Sequence, residues 1–187
     1  MKRLLIIITI VVLISSCATT NETKPSKPES RKDEIASKQG EITQAVESRR
    51  FLIKLDRLYF SHGGVVDLKP RSNYIIIDGN TAVIRAAYLG RQYAIRPIAG
   101  INIHGKAVDY QLTKDLPKGT YKIKMQVTNG PTRSFDVFLK ISKNGSCSAS
   151  VTSLVIDYLN YSGQVVPLKD NINNTPQPEL TQPGNDI

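Results

Sequence analysis

From residue 121 to residue 128 the side chains alternate without a break. Tyr121, Ile123, Met125 and Val127 are apolar, and Lys122, Lys124, Gln126 and Thr128 are polar. A helix would spread such a pattern around its whole surface, whereas a strand places one set inward and the other in water. Asn129-Gly130-Pro131 turns the chain, and Phe135, Val137, Leu139 and Ile141 repeat the alternation. Asn144-Gly145 turns it again into Cys147, Ala149 and Val151. Upstream, Phe51 to Phe60 is rich in branched and aromatic residues, and Tyr74–Ile77 and Thr81–Ile84 flank Asp78-Gly79-Asn80, a strong hairpin signal. Ile101 and Ile103 share one phase while Val108, Tyr110 and Leu112 share the opposite one, which predicts a bulge or bend near Gly105. A last strand runs from Ile156 to Tyr161. About eight short strands joined by hairpins predict a mainly β, antiparallel fold that closes into a small barrel or a strongly curved sheet, because closure removes exposed edges.

The first residues speak about location. Lys2 and Arg3 precede an apolar run from Leu4 to Ile14 that only Thr9 interrupts. The run has the length of a signal-peptide core and is too short to cross a bilayer as a helix. It ends in Ile14-Ser15-Ser16-Cys17. A branched residue three before a cysteine, with small residues between, looks like a bacterial lipobox. The expectation is therefore a signal peptide over 1–16 and diacylglycerol on Cys17. Each buried methylene is worth about 0.8 kcal/mol, so two or three acyl chains would hold the protein on a membrane. No other segment is apolar enough to span a membrane. Ala18 is not the aspartate of inner-membrane retention, and no acidic cluster follows Cys17. Both features lead to the outer membrane, facing the periplasm.

Between anchor and sheet, residues 17–31 read as a flexible tether rich in Pro, Ser, Thr and charge, with a reach on the order of 20 Å. Ser30 to Arg50 is the one helix the pattern supports. Ser30 and Asp33 resemble a capping box, Ile35, Ile42, Ala45, Val46 and Arg49 make a stripe, and Gly40 weakens it. A β domain with this helix is expected over 32–168, and a disordered tail over 169–187.

The 187 residues carry 25 Lys+Arg against 16 Asp+Glu, a net charge of +9, and loss of Lys2 and Arg3 with the leader would lower it to +7. A basic surface favours anionic envelope components, and export argues against nucleic acid as a partner. The chain has two cysteines, so a lipidated Cys17 leaves Cys147 without a partner and reads it as a buried, inert thiol.

Several short motifs in fixed order carry a resemblance. They are the lipobox, Val46-Glu-Ser-Arg-Arg-Phe51, Tyr88-Leu-Gly-Arg-Gln-Tyr93, and the Asn144-Gly145 turn leading to Val151-Thr-Ser153 and Tyr161-Ser-Gly163. Together, over roughly Ile35 to Leu168, they resemble the Bacteroidetes lipoprotein family catalogued as domain of unknown function 4251. The sequence departs from that family where Ala86-Ala87 replaces its usual Leu-Pro, where Leu89 replaces an aromatic, and where Ile156 replaces an arginine. The resemblance implies a lipocalin-like topology and the cell envelope, with no established activity and no catalytic residue to transfer.

Tyr88, Arg91 and Tyr93 around Gly90 could stack on a sugar or pin a carboxylate or phosphate, and His104 is a further candidate contact. The competing reading makes Gly90 a turn and the tyrosines core caps. His62 beside Ser61 sits in a glycine loop without a nucleophile-elbow motif, and no His and carboxylate pair has metal-ligand spacing. No cofactor is expected. The preferred expectation is a non-catalytic envelope module, binding or structural, held by its membrane anchor and working with an anionic component or an envelope protein. The alternatives are a carrier of a small apolar or amphiphilic ligand in the barrel, and a glycan or peptidoglycan hydrolase drawing on Asp67, Asp109, Asp115 or Asp136. The carrier is tested by whether Ile123, Met125, Val137 and Leu139 fill the lumen.

Overall fold

A computed structural model describes residues 27–60, 63–88 and 100–168. The chain falls into two compact units, 1–34 and 35–187. In the first, the described residues are the opening turns of a helix, α1 (Lys27–Glu47). The second holds the rest of α1 and nine strands: β1 (Arg50–Tyr59), β2 (Val65–Asp67), β3 (Tyr74–Asp78), β4 (Thr81–Ala87), β5 (Gly100–Asp115), β6 (Thr120–Thr128), β7 (Ser134–Ser142), β8 (Ser146–Ser153) and β9 (Ile156–Pro167). Among the described residues no helix is long and apolar enough to cross a membrane.

Eight of the strands form a closed antiparallel barrel in the order β1-β3-β4-β5-β6-β7-β8-β9, and β9 returns to pair with β1 from Phe51↔Pro167 to Tyr59↔Asn160. The short β2 continues the β3 edge of β1, pairing Tyr59 with Val65. This ninth strand has no counterpart in the sequence pattern, because three residues are too few to show alternation. β5 is long because it serves two neighbours in turn. Residues 100–106 pair with β4, and residues 106–115 pair with β6.

The predicted phase switch in β5 is a bulge, and it lies beyond Gly105. Val108 pairs with Gln126 and Gln111 with Lys124, so one extra residue enters β5. Asp109 takes it up with a left-handed φ of 52°. Tyr110 and Leu112 then pack against the core, while Val108 stays in the outward phase. The hairpin at Asp78 forms as expected: Asp78 pairs with Thr81, and Gly79 supplies a φ of 59°.

The start of the helix and the extent of its buried stripe differ from expectation. α1 begins at Lys27, inside the stretch read as tether, so Ser30 is a helical residue and not a cap. Pro28 as the second helical residue explains this, since its missing N–H falls among the donors that have no intrahelical partner anyway. The buried stripe is also shorter. Ile42, Ala45 and Val46 are buried, but Ile35 is 57 % exposed. Arg49 lies past the helix end with φ 56° and its guanidinium 4.2 Å from the centre of the Tyr110 ring.

The C-terminal half of α1 covers one end of the barrel. Tyr121 Oη donates to Thr43 Oγ1 at 3.0 Å, and Lys114 Nζ lies 2.7 Å from Glu47 Oε1. Gly145 has a φ of 84°, and a side chain there would run into Ile42 of the helix.

At Gly163 the closing strand passes so near β1 that an added Cβ would overlap the carbonyl oxygen of Lys54 and crowd Leu55 Cα. Backbone cannot yield as a side chain can. Gly163→Ala is expected to destabilise the fold by about 1–3 kcal/mol. An added Cβ at Gly40 would have nothing within 4 Å, and Gly40→Ala is expected to stabilise by about 0.5–1 kcal/mol. Urea unfolding of the two variants checks both signs; equal midpoints would refute the account of closure.

Candidate functional site

The lumen is full. Ile123, Met125, Val137 and Leu139 are all 2 % exposed or less and belong to one core cluster. Phe51, Ile53, Leu55, Ile75, Ile77 and Ile84 meet them from the facing strands, each fully buried. This is the packing that eight strands allow when side chains alone occupy the interior.

At the end of β4 the backbone of Ala87 is tied on both sides. Its N–H donates to Asn73 Oδ1 at 2.7 Å, and its carbonyl accepts the Tyr161 hydroxyl at 2.8 Å. The second bond crosses the interior, since two strands separate β9 from β4 in the sheet. A proline at position 87, which the family resemblance suggests as usual, could not make the first. Burial pushes the Tyr161 phenol well above its ordinary range, and the nearby Tyr88 adds to the shift.

Of the four residues read as candidate ligand contacts, the structure describes Tyr88 and His104. Arg91 and Tyr93 lie outside the described residues, as do Cys17, Ser61 and His62. Tyr88 is 3 % exposed and follows Ala82, Ile84 and Ala86 in the inward phase. His104 stands on the outer face of β5, opposite Val83. Strand alternation therefore sets these two on opposite sides of the sheet. The four aspartates are also spread out. Asp67 pairs with Arg57 at 3.2 Å on β2, Asp109 forms the bulge, Asp115 is 3.9 Å from Lys118 Nζ, and Asp136 accepts from Gln126 at 3.2 Å. Among the described residues no three His, Cys, Asp or Glu side chains gather as a metal ion would require.

Concave regions lie at one end of the barrel and on its outer face. A recess of about 520 Å³ lies between the β8–β9 turn and the 131–135 segment, lined by Ile101, Pro131, Phe135 and Val155. Leu154 at its rim is fully exposed, and Ser134 Oγ is buried with no hydrogen-bond partner among the described residues. A groove of about 400 Å³ runs over the outer face of β5 to β8. One cross-strand row reads Thr113–Lys122–Lys140–Ser148 and the next Gln111–Lys124–Phe138–Ser150. Lys124 Nζ lies 5.8 Å from the centre of the Phe138 ring, which is 38 % exposed. Sequence reading saw these lysines only as the wet side of a strand. The signal that finds them is the register, which stacks polar positions from four separate segments into two rows.

Cys147 faces the core at 4 % exposure, paired in register with Ile141 and Gly163. Burial pushes its thiol up to about 12, so no thiolate forms near neutral pH. A thiol reagent added to the native protein at pH 8 is expected to leave Cys147 unmodified and to react with it on unfolding. Rapid labelling of the native state would disprove the burial argument.

The family model described as Domain of unknown function (DUF4251) matches residues 33–165. A crystal structure of a DUF4251 family protein from Bacteroides eggerthii is similar in fold, with a TM-score of 0.59 and 15% sequence identity, over 71% of this chain and 89% of that one. A search of the curated proteins finds no match. The match to the family model runs from within α1 through the strands into β9, and the chain belongs to the DUF4251 family.

Proposed function

We propose that this protein is a lipid-anchored module of the bacterial cell envelope that works through its outer surface. In this reading Cys17 carries the lipid, the site of action is the outer membrane facing the periplasm, and the module neither catalyses a reaction nor carries a ligand inside its barrel. The single observation behind it is the packed lumen. Ile123, Met125, Val137 and Leu139 occupy the space a carried ligand would need. The anchor rests on the Ile14-Ser-Ser-Cys17 sequence, and the preference for anionic partners rests on the positive balance, +9 for the full sequence and +7 without Lys2 and Arg3.

Two measurements test the proposal. Residues 18–187, secreted without the lipid and extracted with solvent, are expected to release no small molecule in stoichiometric amount by mass spectrometry. A recurring lipid at near-equal ratio would establish the carrier instead. In cells fed an alkyne fatty acid, the full chain is expected to take up label, and Cys17→Ser to lose it. Label retained by that variant would refute the anchor.

A further inference from the structure

The two rows of the outer groove contain an arrangement that costs stability. Lys122 and Lys140 are directly opposite each other on β6 and β7, and like charges so placed repel across the strands. Lys124 is on the same face two residues along, and among the described residues none of the three forms an ion pair with a carboxylate. Acidic positions on this face lie one row out on either side: Asp136, whose carboxylate accepts from Gln126, and Asp115, 3.9 Å from Lys118 Nζ. Three cations therefore share a concave surface, with a carboxylate in the row beyond it on either side. Phe138 lies among them, opposite Ser150 in register, and Ser150, 9 % exposed although in the outward phase, donates its hydroxyl to Asn160 Oδ1 at 2.7 Å.

From this geometry we infer that the groove binds an acidic polysaccharide, a chain of sugars carrying carboxylates, in extended form along the rows. Each part of the groove meets one part of such a chain. The ammonium groups of Lys122 and Lys140 offer charge-assisted hydrogen bonds to carboxylate oxygens, and binding relieves their repulsion. Phe138 and the lysine methylene stems present apolar surface to the C–H face of a sugar ring. Thr113, Gln111 and Ser148 supply neutral donors and acceptors for sugar hydroxyls. Adjacent strands are about 4.8 Å apart, close to the length of one pyranose unit, so successive sugars can meet successive strands. Asp136 bars the chain from straying into the third row. A bilayer surface fits less well, because a single aromatic ring stands among lysines, with Lys124 Nζ 5.8 Å from its centre, where membrane docking needs several apolar side chains that project. The volume of about 400 Å³ is in the range of small-ligand sites.

The inference rests on the proposed reading of the protein as a module that works from its outside. The test uses the full chain in neutral detergent, titrated calorimetrically with a polygalacturonate hexamer, with a neutral glucan hexamer, and with mixed micelles containing phosphatidylglycerol. The uronate is expected to bind and the glucan not to. Lys122→Gln/Lys140→Gln is expected to weaken uronate binding about tenfold or more, as loss of two charge-assisted bonds predicts. Phe138→Ser is expected to weaken it as well while leaving its salt dependence intact. The lysine double variant is expected to melt at the same temperature as the wild type or higher, because the repulsion is gone, so weaker binding cannot come from a damaged fold. Unchanged uronate affinity in the double variant would overturn the groove, although an exterior binding role would survive. Binding only to the phosphatidylglycerol micelles would overturn the glycan in favour of the membrane. Shortening of the hexamer during the titration would instead defeat the non-catalytic reading, and loss of that shortening in the double variant would keep the groove.

Discussion

The pairing of β9 with β1 is the contact on which the rest of the barrel depends. It joins residues about a hundred positions apart, from Phe51↔Pro167 to Tyr59↔Asn160, and it gives every barrel strand two neighbours. Without it, both edges of the sheet would offer unpaired backbone groups to other chains. The pairing is possible only because Gly163 lets the two backbones approach at the bulge between Leu55 and Arg57. Once closed, the inward side chains of opposite strands meet. Fully buried aliphatic residues in such a core contribute about 1.5–3 kcal/mol each, against the entropy of ordering so distant a contact.

Closure at eight strands also decides where binding can happen. The interior is narrow, the branched residues of β1, β3, β4 and β6 fill it, and the helix covers one end. The outer face of β5 to β8 is different. It is a shallow groove with its polar positions in register, and Lys122 and Lys140 face each other there. A fold selected for stability alone would place a carboxylate opposite one of them. The groove therefore reads as the part of the barrel where stability has been given up for charge.

Much of the architecture was legible in the sequence. β6 and β7 follow from unbroken alternation, the β3–β4 hairpin from Asp78-Gly79-Asn80, and the break in β5 from the change of phase between Ile103 and Tyr110. The misplacements have physical causes. The bulge sits at Asp109 and not at Gly105 because a short polar side chain can take a left-handed φ, which glycine preference alone obscures. Ile35 looked like core because it shares the helical stripe of Ile42 and Val46, yet periodicity cannot tell how far along a helix the sheet extends. Tyr88 and His104 were separate candidate contacts, and strand alternation put them on opposite faces.

What the sequence determined by itself is the local chemistry: alternation makes strands, Gly-containing turns make hairpins, and an apolar leader ending at Cys17 carries its expectation of export and lipid. Each of these depends on neighbours in the chain. What only the tertiary structure decided is which strands lie side by side and in what register. That register packs the lumen shut, ties Ala87 to Asn73 and Tyr161, and brings Lys122, Lys124, Phe138 and Lys140 into one groove. A shift of a single residue would turn each of these side chains to the other face, and the hydrogen bonds that prevent the shift join residues far apart in the chain.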